Sequence, residues 1–334
     1  VSYKTVYKEI MRAYESDRDR AAATLRKRRE EMYARLPRLR EIDGELSSAG
    51  LSAARQIVIG DAPLKPNEAL LADLGKRSAE LKREKERLLS GSGMPKDYFT
   101  DIYRCGLCRD TGFADGERCR CLKQRLIDKY YDLSTIRGLL DNENFGTFDL
   151  RYYSEAVNAQ QGLSPRKNMQ LIQKAAQKLV DEFGQTFQNL LFYGATGLGK
   201  TFLCNCIAKA LLDRGHTVLY VTAPRIFKLV EDYRFNRDEM EEPDYAIDAV
   251  TDVDLLILDD LGAEFSTVVT SAALFDIINQ RIITKKPTVI STNLSILEFE
   301  SNYSDRILSR FHGHYIMLKF YGDDIRAKKR HEGG

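Results

Sequence analysis

The stretch Leu190-Leu191-Phe192-Tyr193-Gly194-Ala195-Thr196-Gly197-Leu198-Gly199-Lys200-Thr201 constrains the fold of this chain more tightly than any other. Four apolar residues at its head read as a buried strand, and Phe202–Leu212 behind it reads as a helix. Between them, Gly194 to Thr201 fits the phosphate-loop pattern, with glycine at both required ends and Lys-Thr closing it. Each residue type has a physical task. Glycines let the backbone turn tightly, so that the N–H groups of Ala195, Thr196, Gly197, Leu198 and Gly199 point inward at phosphate oxygens. The helix N-terminus adds partial positive charge. Lys200 would reach the β- and γ-phosphates of ATP, and Thr201 would ligate Mg²⁺. A Gly-rich turn before an ordinary helix is the plain alternative; the strand–loop–helix setting favours the nucleotide.

At 334 residues the chain exceeds one average domain and suggests two. Its formal charge of +2 is the small difference between 51 Lys and Arg and 49 Asp and Glu, so only local patches could speak for nucleic acid. No apolar run approaches the ~20 residues of a membrane helix. Tyr3 to Arg20 is too polar and charged for a signal peptide. The expectation is a cytoplasmic protein with no membrane partner and with reduced thiols.

Residues 1–92 are helical in character. Leu25, Met32, Leu39 and Leu46 recur every seven residues, with Leu36 and Ile42 filling the seam, and Leu71, Leu74, Leu81 and Leu88 form a second run. Ser47 to Pro66, punctuated by Gly and Pro, separates the two. The pattern predicts an antiparallel helical hairpin closed by a seam like that of a coiled coil. Pro37 should kink or divide its first helix. The segment holds no catalytic constellation and reads as a protein-docking arm; a hairpin that merely packs on itself is the alternative. Arg26-Lys27-Arg28-Arg29, followed at once by Glu30-Glu31, reads as a solvated helix face.

Ser90-Gly91-Ser92-Gly93 reads as a linker, and residues 93–135 as a small cysteine module with a helix behind it. Cys105-Gly-Leu-Cys108 and Cys119-Arg-Cys121 can converge if Thr111 to Gly116 turns the chain back. Four thiolates at tetrahedral geometry suit Zn²⁺. The second pair is narrower than the usual Cys-x-x-Cys, and an iron–sulfur cluster or plain thiols are the alternatives. Four sulfurs leave no open position, so the ion would be structural and its affinity largely the module's folding energy. Cys204 and Cys206, in the helix behind the phosphate loop, read as small core residues.

Helices and strands alternate through the C-terminal half. Helix Pro165–Phe183 precedes the loop strand. Beyond the loop helix come strand Thr217–Thr222, helix Pro224–Phe235, an acidic loop Asp238–Asp244, strand Leu255–Leu258, helix Ala272–Ile283, strand Thr288–Thr292 and a short strand Tyr315–Leu318. Near-continuous apolar strands alternating with helices predict an α/β fold, a parallel sheet with helices on both faces. Chemistry then belongs at the C-terminal ends of the strands. Asp259, behind four apolar residues, would hold Mg²⁺ directly or through water. Asp260 would orient or deprotonate the attacking water, and Asn293 would position that water or touch the γ-phosphate. Phe145 and Phe148 would wall an adenine ring or fill the core. Arg306 and Arg310, four residues apart, share a helix face. An arginine there could neutralise a transferring γ-phosphoryl group across a subunit interface. Arg326, in a short terminal helix, could lie over the same nucleotide.

Gly194–Thr201, Leu255–Gly262, Ser291-Thr292-Asn293 and Asp305–Phe311 resemble, in order and spacing, the Walker A, Walker B, sensor 1 and box VII elements of AAA+ ATPases of the initiator/loader clade. Cys105-x-x-Cys108-Arg-Asp-Thr-Gly-Phe and Cys119-x-Cys121-Leu-Lys-Gln, just ahead of them, look like the bacterial replicative helicase loaders of the DnaC/DnaI type. An AAA+ domain without a full helical lid is expected over 136–334, since the sequence stops eight residues after Arg326; the first 90 residues carry no matching motif. The resemblance implies Arg310 as arginine finger, Arg306 as its neighbour and Arg326 as sensor 2. It implies a hexameric replicative DNA helicase held through the N-terminal region, self-association through AAA+ contacts, and single-stranded DNA binding. It also implies slow, partner-regulated ATP hydrolysis in a bacterial cytoplasmic protein associated with the nucleoid. A transposition-helper ATPase acting on duplex DNA and an adaptor switched by nucleotide with little hydrolysis are the alternatives.

Overall fold

The computed structural model describes residues 3–58, 68–93, 98, 100, 102–131, 138–235, 245–263 and 267–332. The chain forms two compact units, Met11–Thr111 and Val1–Ile10 with Gly112–Gly334. No described helix is long and apolar enough to cross a membrane.

Three helices occupy the N-terminal third: α1 (Tyr3–Arg35), α2 (Pro37–Val58) and α3 (Glu68–Gly91). Pro37 does divide the first run. The Leu36 N–H closes α1 on the Met32 carbonyl at 2.7 Å, and α2 restarts on Pro37, whose missing N–H is harmless at a first helical position. The hairpin is therefore the pair α2 and α3 rather than two long arms. Its seam buries Leu39, Ile42 and Leu81. Arg38 clasps Glu84 with two hydrogen bonds of 2.9 and 3.2 Å, and Arg77 reaches Glu45 at 2.7 Å. These pairs lie at the surface and contribute little beside the apolar seam. The structure departs from the sequence reading at Ser47–Pro66, where α2 runs on to Val58. Gly44 and Gly50 face open space, and a helix absorbs such residues at about 1 kcal/mol each. Residues 59–67 lie outside the described ones, as do 94–97 beyond the expected linker, of which Ser90 and Gly91 still belong to α3.

The cysteine stretch carries a two-stranded antiparallel ladder, β1 (Phe113–Ala114) with β2 (Glu117–Arg118), and leads into α4 (Arg120–Tyr130). Next come α5 (Pro165–Asp181), β3 (Asn189–Tyr193), α6 (Lys200–Asp213), β4 (Val218–Thr222), α7 (Ala223–Phe235), α8 (Tyr245–Asp252) and β5 (Leu255–Leu261). The fold closes with α9 (Val268–Ile283), β6 (Thr288–Thr292), α10 (Ile296–Asn302), α11 (Asp305–His314), β7 (Tyr315–Lys319) and α12 (Ile325–Glu332). All neighbours in the sheet β4-β5-β6-β3-β7 run parallel. The expected acidic loop Asp238–Asp244 lies outside the described residues, and the helices α8 and α10 were not among the elements expected from the sequence.

Strand alternation builds a core on each face of this sheet. Leu191, Leu219, Val221, Leu256, Leu258 and Ile290 pack under α4, α7, α8, α9 and Phe311 of α11. Leu190, Phe192, Val218, Tyr220, Leu255, Ile257 and Val289 pack under α5 and α6, where Cys204 and Cys206 are fully buried. Each such Leu, Ile or Phe contributes roughly 1.5–3 kcal/mol of burial. Burial also pushes both thiols up, Cys206 to about 12, so they stay protonated and inert.

Two polar residues finish the sheet at its edge and its base. Gln124 of α4 acts as a one-residue strand against β4: its Nε2 donates to the Val218 carbonyl at 3.0 Å and its Oε1 accepts the Val218 N–H at 2.7 Å. Arg281 of α9, 1% exposed, donates to the carbonyls of Val250, Val253 and Pro287 at 2.9, 3.1 and 2.7 Å and to Thr288 Oγ1 at 3.0 Å. It ties the N-terminal ends of β5 and β6 at the end of the sheet opposite the phosphate loop. Gln124→Leu would leave both Val218 backbone groups buried and unpaired. We expect a loss of about 3 kcal/mol, read by urea denaturation followed by circular dichroism; a loss below about 0.5 kcal/mol would show that solvent replaces the amide.

Candidate nucleotide site

The phosphate loop joins β3 to α6 at the C-terminal edge of the sheet. Gly194 and Gly197 have φ of +137° and +76°. A Cβ on Gly194 would run into the Phe320 carbonyl, and one on Gly197 into the Asp324 carboxylate, so the backbone passes where a side chain cannot. The Ile325 N–H donates to the Gly197 carbonyl at 2.9 Å, which seats the start of α12 on the loop.

This loop forms one wall of a cleft of about 430 Å³. Thr196, Gly197, Leu198, Gly199, Lys200 and Thr201 line it, facing Asp260, Asn293 and Arg326. Gly194 and Ala195 contribute their carbonyls, each accepting from Lys200 Nζ at 2.7 Å. Burial lowers Lys200 to about 8, against the pull of Asp260 and Asp259, which favour its charge.

Asp259 and Asp260 are adjacent in sequence but serve different faces. The pairing of β5 with β6 shifts register between Leu258 and Leu261, and Asp260 sits there at φ +56°. Asp259 consequently turns inward. It is 3% exposed and does not reach the cleft wall. Tyr220 of β4 donates to its Oδ2 at 2.5 Å, and Ser291 of β6 donates to its Oδ1. The same Ser291 hydroxyl accepts the Asp260 N–H at 3.1 Å. Asp260 faces the cleft, where Asn293 Nδ2 donates to its Oδ1 at 3.1 Å. Burial and the neighbouring Asp259 raise the Asp260 carboxyl above its ordinary value. Tyr220 and the bridging Ser291 were missed by sequence reasoning; a hydroxyl inside the otherwise aliphatic run Val218-Leu219-Tyr220-Val221 was the available signal.

The far end of the cleft is aromatic. Phe148 lines it and meets Phe202 edge-on at 5.6 Å and Tyr153 in a stacked pair at 6.1 Å. Tyr153 Oη donates to the Leu198 carbonyl at 3.0 Å. Phe145 instead packs against the core and lies off the cleft.

Arg306 and Arg310 do not enter this cleft. They line a separate surface depression with Phe275, Asp305 and Ser309. Arg310 Nε donates to Asn279 Oδ1 at 3.1 Å, and its guanidinium stands 5.5 Å from the Phe275 ring centre.

In the continuous stretch 105–121 the thiols of Cys105, Cys108, Cys119 and Cys121 lie within 4.8 Å of one another. A tetrahedral zinc–sulfur site with bonds of about 2.3 Å needs sulfur separations of about 3.8 Å, so these four could hold one ion. The knuckle is ordered by Asp110, 1% exposed, whose carboxylate accepts the N–H groups of Arg104 and Cys105 at 2.9 Å each. Asp110 was quoted in the motif but given no task by the sequence reading.

Residues 159–333 match the family described as IstB-like ATP binding protein. The replicative helicase loader DnaC of Escherichia coli (strain K12) is 29% identical over 154 residues, 46% of this chain and 62% of that protein. DnaC of Buchnera aphidicola subsp. Acyrthosiphon pisum (strain APS) is 25% identical over 154 residues, with the same shares covered. The chain thus spans less than two thirds of the length of these relatives. A crystal structure of DnaI is 25% identical and covers 57% of this chain and 93% of its own, with a TM-score of 0.44. The family match takes in more than half of the chain and carries within it the phosphate loop, Asp259, Asp260, Asn293, Arg310 and Arg326: the chain belongs to the IstB-like ATP-binding proteins.

Proposed function

We propose that the chain is an ATP-driven loader that delivers a hexameric replicative DNA helicase onto single-stranded DNA in the bacterial cytoplasm, at the nucleoid. The observation that carries this reading is the division of labour between two surfaces. The phosphate loop, Asp260, Asn293 and Arg326 share one cleft, while Arg310 lies in a depression away from it. In this reading the arginine serves the cleft of another copy, so that nucleotide occupancy becomes a signal between subunits. The DnaC relatives supply the likeness to helicase loaders.

In this mechanism Lys200 leaves the carbonyls of Gly194 and Ala195 for the β- and γ-phosphates. Thr201 and Asp259 would hold Mg²⁺, which supplies countercharge to the phosphates when bound; Asp259, set behind the wall, would act through water. Asp260, held by Asn293, orients the attacking water and takes its proton. Arg310 of a neighbouring copy stabilises the charge that develops on the γ-phosphoryl group, and Arg326 reports it to α12. The cysteine cluster would hold structural Zn²⁺ through Cys105, Cys108, Cys119 and Cys121. The helices α1 to α3 would form the helicase-docking arm. A boundary near 92 would part them from the cysteine module, and one near 135 the module from the ATPase.

The family match favours a second reading, a transposition-helper ATPase acting on duplex DNA. A pull-down from the source cell, with and without ATP, separates the two. ATP-responsive capture of a hexameric helicase supports the loader; ATP-dependent filaments on duplex DNA with no helicase captured would replace it.

Three outcomes are expected. Because phosphates draw Lys200 back toward its ordinary value, ATP affinity is full below pH 8 and falls above it, by up to about tenfold per unit. Calorimetry near pH 8 in buffers of different ionisation enthalpy should register about half a proton taken up per ATP. Arg310→Ala should keep ATP binding nearly intact while turnover and ATP-dependent assembly drop at least about tenfold; unchanged turnover removes the finger role. Cys108→Ser should lose zinc from the purified protein and unfold the cysteine stretch, as metal analysis and amide exchange would register; an intact stretch with no metal bound in either protein overturns the zinc reading.

A further inference from the structure

Glu143 has no place in the mechanism above, yet it lines the nucleotide cleft, at the aromatic end with Thr147, Phe148 and Phe202. We propose that Glu143 reads the nucleobase, its carboxylate selecting a purine with a 6-amino group over one with a 6-keto group. This rests on the nucleotide reading of the cleft and names the base that the cleft takes.

Three observations place a base edge against this carboxylate. First, the phosphates belong at the N-terminus of α6, where Lys200 and Thr201 stand. Glu143 is bonded to Asn205 on the same helix, five residues beyond Lys200, or about 7.5 Å along its axis. A nucleotide extended along this side of the cleft would bring its base within reach of that carboxylate. Second, Phe148, braced edge-on by Phe202 and stacked on Tyr153, offers a ring on the cleft wall beside it. An aromatic face binds any base without choosing one, so the choice must come from a polar group.

Third, the carboxylate is fixed. Asn205, only 3% exposed, donates its Nδ2 to Glu143 Oε2 at 2.6 Å. Asn205 Oδ1 meets no donor among the described residues. Rotating the amide would set that oxygen against the carboxylate, so the pair holds a single orientation. Glu143 Oε1 is left for the ligand.

An ionised carboxylate accepts hydrogen bonds and cannot donate. A 6-amino group presents a donor to it. A 6-keto group presents a lone pair, which the carboxylate repels, and a buried polar group left without its partner is costly. Bound through its 6-position, adenine is preferred over hypoxanthine and guanine. Hypoxanthine and guanine both carry a donor at N1, and guanine a further one at its 2-amino group; binding through that edge would invert the preference, which makes the direction testable.

The full chain with Mg²⁺ is titrated by calorimetry with ATP, inosine triphosphate and GTP. ATP should bind at least about tenfold more tightly than either keto purine. Glu143→Gln can turn its amide to donate to a 6-keto group, so this variant should bind inosine triphosphate more tightly and ATP more weakly than the unaltered chain, bringing the two within about threefold. Equal or tighter binding of inosine triphosphate or GTP to the unaltered chain overturns the proposal and leaves the nucleotide site standing. A preference for ATP that Glu143→Gln does not change also overturns it, because another group then reads the base. Binding of none of the three overturns the nucleotide reading itself. The comparison on the unaltered chain needs no variant to fold.

Discussion

A carboxylate buried to 3% exposure cannot be left without donors, and the upper edge of the sheet is arranged around that demand. Asp259 obtains its donors from the strands on either side, Tyr220 from β4 and Ser291 from β6. Both hydroxyls therefore reach it from the flanking strands, which ties three strands together at their C-terminal ends, where the β5–β6 pairing shifts. Ser291 also accepts the Asp260 N–H, so the bulge that separates the two acids is anchored by the group that serves the first of them. Asp260 is presented to the cleft because Asp259 has been drawn away from it. The opposite end of the same strands is held by Arg281, which meets only carbonyls and one hydroxyl there.

What could be read from sequence was what repeats locally. The phosphate loop, the apolar strands and the acids at the end of β5 are contiguous patterns, and the structure brings Lys200, Asp260, Asn293 and Arg326 to one cleft. Hydrogen bonds between distant positions leave no such trace. Tyr220 and Asp259 lie 39 residues apart, and Gln124 and Val218 lie 94 apart. Glycine was over-read at 50, where an exposed helix face accommodates it. One element was legible and overlooked: Ser295-Ile-Leu-Glu298 is a capping box, and the reciprocal bonds at its ends start α10.

The cysteine stretch follows the same logic on a smaller scale. A segment too short for a hydrophobic core relies on buried polar contacts and on whatever ion its thiols can hold. Asp110 orders the turn by accepting two backbone N–H groups before any ion is considered. Arg109 and Asp110 both have positive φ, 50° and 55°, a conformation that hydrogen bonding of the aspartate side chain to nearby backbone helps to hold.

Gln124 gives the sheet a boundary that sequence comparison would draw elsewhere. Its helix begins on the residue after Cys119, well ahead of the first strand of the parallel sheet, yet it supplies hydrogen bonds to Val218 at the edge of strand β4. Cutting the nucleotide-binding part away from α4 would leave the Val218 N–H and C=O unpaired on the edge strand, the kind of surface on which sheets of separate molecules add to one another. A fragment that keeps this edge paired starts upstream of Gln124. Any evolutionary exchange of the front modules for others has to carry that amide, or a substitute for it, along.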